Sequence, residues 1–271
     1  MRCYGLRAAL LAVLLCAALV AIASLWLGLV GAAVVSALIV ALGWITYFHS
    51  ERVVLTAVGA RQVSEVERPE LHRLVRELAR SARLPMPRLF VSPTAQPNIL
   101  TVGYGPRSAA VCCTEGLLAE LSPAELRAVL AHEIAHVTRG DVLVSSSSAG
   151  LASLVAVCPL SALLVLQIAS PPAREYGADI DGALLTGEPL ALASALRKIE
   201  SGAATEPLRR RGPLAAASYL MIACPFPPRG LGRLLRSHPP IGERVRRLEG
   251  LAGMAGTGPR LAAPLAAVSG S

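Results

Sequence analysis

Two uncharged apolar runs at the start of the chain constrain its fold more than any other feature. Residues 8–25 (AALLAVLLCAALVAIASL) and 29–48 (LVGAAVVSALIVALGWITYF) contain no Asp, Glu, Lys or Arg. Each is about long enough to cross ~30 Å of hydrocarbon as a helix. Only a few residues around Gly28 separate them, so residues 1–50 read as a transmembrane helical hairpin. Arg2 and Arg7 precede the first run and Arg52 and Arg61 follow the second, while the turn between them is uncharged. The positive-inside rule then puts both ends in the cytoplasm. Trp44, Tyr47 and Phe48 cluster near one end of the second run, as an interfacial aromatic belt does. The stretch AIAS at 21–24 resembles a signal-peptide cleavage site, but a second span follows directly, and the pair is read as an anchor.

Charge and cysteine usage fit that picture. The net charge is +8, nearly all of it from dispersed arginine, with Arg209, Arg210 and Arg211 the one tight run. No aromatic residues interleave with these bases, so nucleic acid is not an expected partner. The lipid surface of an inner or plasma membrane is the expected counter-charge. The six cysteines, Cys3, Cys16, Cys112, Cys113, Cys158 and Cys224, show no metal-ligand spacing. They read as reduced apolar fillers, with the vicinal pair on opposite faces of a strand.

Beyond residue 50 the periodicities change. Leu71, Leu74, Val75 and Leu78 repeat at helical spacing, and Pro85 ends that helix. RLFVS at 88–92 reads as a strand, and PNILTVGYGPRSAAVCC at 97–113 as two strands about a Gly-Pro turn. Together they predict a small antiparallel sheet with an exposed edge. In SPAELRAVLAHEIAHV, Ser122 is a good N-cap, Pro123 takes the first helical position and Glu125 completes a capping box. A helix is therefore expected from 123 to about 137. Residues 256–271 are mostly Ala, Gly, Pro and Ser and read as a disordered tail.

That helix carries LAHEIAHVTRGD, residues 130–141. His132 and His136 lie one turn apart, so both imidazoles leave the same face and can bind one Zn²⁺. Glu133 sits beside them, placed to take a proton from water. The flanking Val129, Leu130, Ala131, Ile134 and Val137 are uncharged, as a helix under an active site requires. A catalytic zinc needs a third protein ligand. His49 abuts the membrane and His72 lies on the first soluble helix, so a carboxylate is the stronger candidate. The chain has three aspartates, Asp141, Asp179 and Asp181. In PAREYGADIDGALL, Glu175 and Asp179 lie one turn apart on a helix. Glu175 is a candidate ligand, and Asp179 a candidate acceptor for a ligand histidine's N–H, as is Asp141, five residues past His136.

Five ordered blocks, LPMPRLFV, PN at 97–98, LSPAELRAVLAHEIAHVTRGD, REYGADIDGA and SHPPIGERVRRL, resemble the HtpX-like membrane zinc metallopeptidases. These belong to a gluzincin group that also includes the CAAX prenyl endopeptidases. The resemblance covers roughly residues 50–250. It implies an α+β, mainly helical, zincin-like catalytic domain over 51–255 behind the hairpin. It implies one zinc per chain on His132, His136 and Glu175, with Glu133 as general base and acid and Asp179 behind the ligands. It further implies a substrate edge strand near Asn98 and a place for His238 near the site, either in transition-state hydrogen bonding or as a helix cap. Two departures stand out. The family's NAFA is NILT here, and the insert between His136 and Glu175 is long enough for one span and too short for the family's two. A single crossing would strand Glu175 across the bilayer from His132. Residues 142–169 are therefore expected to form a helical hairpin broken at Cys158-Pro159, re-entrant or packed on the domain. The apolar stretch 214–226 is too short to span and is expected over the cleft.

The expected activity is membrane-anchored endopeptidase hydrolysis by Glu-assisted attack of metal-bound water, acting on exposed or misfolded membrane-protein segments in quality control. Two alternatives are a zinc-binding membrane chaperone or scaffold without turnover, and a prenyl-protein processing endopeptidase. The latter uses a chamber of many more helices than this chain supplies.

Overall fold

A computed structural model describes residues 2–154, 172–208, 214, 217–226 and 238–256 of the 271. The α+β class holds: helices dominate and one four-stranded sheet accompanies them. Helix α1 (Arg2–Ala57) is interrupted at Gly28, whose φ of 65° and ψ of −162° are open to glycine and costly for other residues. A Cβ on Gly31 would lie 3.1 Å from the carbonyl oxygen of Ala23. In a continuous helix those residues stand about 12 Å apart, so the chain doubles back at Gly28. Within α1, Cys16–Ile45 is the one stretch among the described residues with the length and hydropathy of a membrane segment, and it includes the reversal at Gly28. Leu25, Trp26, Leu27, Leu29 and Val30 around the turn are exposed, an apolar surface that water does not favour.

The remaining elements are β1 (Arg61–Gln62), α2 (Pro69–Ser81), β2 (Arg88–Ser92), β3 (Ile99–Val102), β4 (Ala110–Thr114), α3 (Glu115–Glu120), α4 (Pro123–Arg139), α5 (Asp141–Leu154), α6 (Pro172–Thr186), α7 (Pro189–Thr205) and α8 (Ile241–Gly256). The sheet runs β1-β2-β4-β3 and is mixed, where the sequence suggested an antiparallel one: β2 and β4 are parallel, with Leu89 opposite Val111. The hairpin of β3 and β4 was legible from its turn. The parallel partner was not, because β4 is buried on both faces and takes a central position between β3 and β2. Strand alternation sends Ile99, Val111 and Cys113 into a core with α2, α4 and α7, and Leu100, Val102 and Cys112 into a second cluster with Val54, Leu55 and Val58 at the end of α1. The vicinal cysteines thus face opposite sides, and the base of the apolar helix is packed on the sheet.

Helix α4 is fixed at both ends. Ser122 N–H donates to Glu125 Oε2 at 2.8 Å and Glu125 N–H to Ser122 Oγ at 3.4 Å, which closes the capping box. Gly140, at φ 74°, turns the chain out of the helix. Glu125 also accepts from Ser194 on α7 at 2.7 Å and Lys198 at 2.8 Å, so the cap ties α4 to its neighbour. The expected break at Cys158-Pro159 and the tail beyond 256 lie outside the described residues.

Candidate metal centre

Helices α4 and α6 approach each other closely where Gly182 faces the backbone of His132. That approach brings Glu175 over the face of α4 that carries the two histidines. His136 Nε2 lies 3.5 Å from Glu175 Oε1, and His132 Nε2 lies 3.8 Å from Glu175 Oε2. One ligand atom from each of the three residues falls within 4.8 Å of the others, a spacing that can hold a metal ion. The opposite nitrogens of the histidines face carboxylates. His132 Nδ1 is 3.0 Å from Asp179 Oδ1, and His136 Nδ1 is 3.2 Å from Asp141 Oδ2. A carboxylate behind each imidazole directs the other nitrogen at the shared point, the usual arrangement behind a metal-bound histidine.

The donor set fits zinc, which takes imidazole and carboxylate ligands. Glu175 Oε2 supports the fit: it is buried and makes no aligned hydrogen bond, although Arg244 Nη1 and His238 Nδ1 each stand 3.3 Å away. Burial disfavours ionisation of Glu175, but the charges of His238, Arg244 and His136 hold its carboxyl well below the usual range. Burial likewise opposes a charge on His136, yet the Asp141 bond, with Glu175 and Glu133 nearby, raises it to about 9. A proton would therefore compete with a metal for His136 at neutral pH.

Glu133 is buried beside these candidate ligands and lines the same cleft, together with Thr101, Ser145, Arg174, Tyr219 and His238. Its Oε2 accepts from Thr101 Oγ1 at 2.6 Å. His238 bridges Tyr219 O, 3.2 Å from its Nε2, and Glu175. Both ring nitrogens thus face the chain's own groups. His72 is remote from the site and bonds the Val63 carbonyl at 3.1 Å.

The edge expected to be exposed near Asn98 is covered. Asn98 is buried, and its Nδ2 donates to Ala223 O at 3.0 Å. Ile222 N–H donates to Ile99 O at 3.0 Å, and Leu100 bridges to Met221. Gln96 adds a bond to Pro225 O at 3.0 Å. Residues 217–226 of the apolar stretch lie over the cleft and take up the outer edge of β3, because their backbone groups find their partners there. An incoming strand at Asn98 and Ile99 has to displace residues 221–223.

Sequence reading passed over Arg244. It is fully buried and donates to Asp179 through Nε at 2.8 Å and Nη2 at 2.7 Å, with Nη2 also 3.4 Å from His132 Nε2. Burial favours a neutral Asp179, but Arg244 and His132 hold its carboxyl at about 2. The signal was present: Ile241, Val245 and Leu248 form the buried stripe of α8, and position 244 falls on that stripe.

The family model of peptidase family M48 matches residues 65–252. A protease HtpX homologue of Kineococcus radiotolerans is 45% identical, covering 77% of this chain and 82% of its own length. Homologues of the same name from Paenarthrobacter aurescens and Bifidobacterium longum are 43% and 40% identical, covering 76% and 75% of this chain and 81% and 77% of their own lengths.

Proposed function

This chain belongs to peptidase family M48, with HtpX-like relatives, and from that premise we propose that it is a membrane-anchored zinc endopeptidase. The observation that carries the reading is the convergence of His132, His136 and Glu175 within 4.8 Å, with Glu133 in the same cleft. Zinc, when bound, supplies a Lewis acid that polarises the scissile carbonyl and makes an attacking water more acidic. His132, His136 and Glu175 would hold it. Asp179 and Asp141 orient the two imidazoles, and Arg244 keeps Asp179 ionised in the interior. Glu133 takes the proton of the attacking water and later gives it to the leaving amine. His238, with its nitrogens turned to Tyr219 and Glu175, acts here as a brace for the ligand carboxylate. Substrate pairing beside Asn98 stays part of the reading, with residues 221–223 moved aside.

The exposed apolar surface of α1 supports anchoring in the cell membrane as a multi-pass protein, and the flanking Arg2, Arg7, Arg52 and Arg61 support a cytoplasmic catalytic domain. Because Glu175 stands beside His136, the ends of α4 and α6 that carry them lie on the same side of the membrane in this reading. Substrates are exposed or misfolded segments of membrane proteins, which places the activity in quality control. Purified full-length chain in detergent tests the assignment. The parent binds one zinc and cleaves casein, His136→Ala loses the metal, and Glu133→Gln keeps the metal and loses cleavage. A Glu133→Gln variant as active as the parent would end the peptidase reading and favour a different role for the metal. Reporter fusions at residues 120 and 190 are expected on the same, cytoplasmic side.

A further inference from the structure

The general base has a partner that the reaction outlined above does not use. Thr101 lies in β3, where Leu100 and Val102 turn toward the end of α1 and Ile99 turns toward α4. Alternation along a strand puts Thr101 on the α4 side with Ile99. There its hydroxyl donates to Glu133 Oε2 at 2.6 Å, with both side chains buried and both lining the cleft. The alanine that the family pattern NAFA carries at this position has no hydroxyl to give.

We propose that Thr101 is a positioning residue for Glu133: its hydroxyl fixes one carboxylate oxygen and leaves the other, Oε1, for the proton that moves. The proposal rests on the peptidase reading and deepens it. A glutamate side chain has several rotatable bonds, and freezing them before reaction removes an ordering cost from the transition state. A bond to a charged acceptor is about twice as strong as a neutral one, and here it is shielded from water. The proton accounting is consistent with this division. As the water oxygen bonds to the scissile carbonyl carbon, one water O–H bond breaks and its proton goes to Oε1. When the C–N bond breaks, that proton passes to the leaving nitrogen. Thr101 neither gains nor loses a proton, and its bond to Oε2 persists through both steps. The tether also joins the base to β3, whose backbone is held on its outer side by Ile222.

Two variants separate positioning from packing. Thr101→Val keeps the shape and loses the hydroxyl, and Thr101→Ser keeps the hydroxyl. In detergent-solubilised, zinc-loaded full-length chain, Thr101→Val is expected to lower kcat about 10-fold, the scale of one charge-assisted bond. KM for a fluorogenic peptide and zinc content are expected to stay unchanged, and Thr101→Ser should recover most of the rate. A valine variant with the parent's kcat, an equal loss in both variants, or a loss confined to KM overturns the proposal. A second readout needs no turnover. In the metal-free chain, the shifts in Tm from Thr101→Val and Glu133→Ala should be non-additive in the double variant, and additive shifts refute the tether. Non-additive shifts together with an inactive parent would instead locate the failure in the peptidase reading.

Discussion

Gly182→Ala tests how the ligand set is assembled, because at Gly182 helix α6 lies against the backbone of α4. A Cβ built there would meet His132 N at 2.8 Å, His132 Cα at 2.9 Å and Ala131 C at 3.1 Å. Carbon contacts become comfortable near ~3.5 Å, so α6 has to retreat by roughly 0.6 Å. No side-chain rotation relieves the contact, since all three atoms are backbone. Alanine gains ~1 kcal/mol over glycine as a helix former, while overpacking a tight contact costs ~1–3 kcal/mol. The net change in stability is therefore a loss of up to ~2 kcal/mol. Metal binding is affected more sharply. Glu175 rides on α6, and zinc sites tolerate only about 0.2 Å of ligand displacement. Zinc affinity is expected to fall about 10- to 100-fold, as when the support behind a ligand is lost. Competition with a chromophoric chelator gives the affinity, and melting of the metal-free chain gives the stability. If Gly182→Ala melts higher than the parent and binds zinc equally well, the α4–α6 contact has slack and the reasoning is wrong.

Other perturbations probe different parts of the site. Glu125 is buried, which alone would raise its pKa, but Lys198, Ser194 and Ser122 hold it at about 2 against an ordinary 4.5. Its depressed pKa contributes stability, by ~3 kcal/mol, that is complete above pH 4.5 and disappears as pH falls through about 2; acid titration of Tm should show Glu125→Gln with a flatter profile, and parallel profiles would contradict the assignment. Arg244→Met leaves the Asp179 carboxylate buried without its bidentate partner and is expected to cost ~3–5 kcal/mol in urea unfolding, partly recovered by adding Asp179→Asn. Zinc at 100 times its Kd should add ~2.7 kcal/mol to unfolding, a gain reversed by chelator and absent in His136→Ala. Because His136 sits at about 9, apparent zinc affinity should rise about tenfold per pH unit up to that pH, read by calorimetry in buffers of different protonation enthalpy.

Much of this site is written locally in the chain. Ser122, Pro123 and Glu125 specify the start of α4, and one helical turn between His132 and His136 specifies that both leave one face. Glu175 and Asp179 obey the same rule on α6. What local pattern does not carry is the meeting of elements far apart in sequence. The parallel pairing of β2 with β4 depends on which strand is buried on both faces, not on any turn. Arg244 reads as one more surface arginine until Asp179 arrives from α6 to receive it, 65 residues away. Thr101 reads as a β-former, and only the depth of the cleft turns its hydroxyl toward Glu133. Asn98 was legible as a residue of consequence, but its partner, the carbonyl of Ala223, is 125 residues distant.

The covering of β3 by Met221 and Ile222 bears on how such a protein remains unaggregated. A sheet's free edge offers unpaired N–H and C=O groups to any neighbouring chain. Tethering to a bilayer confines molecules to a plane, where encounters between copies are frequent. This sheet offers little to join: β1 at one end is two residues long, and β3 at the other already has a backbone beside it. On the proposed activity, a chain that handles unfolded, strand-prone polypeptide would thus keep its own most adhesive surface occupied.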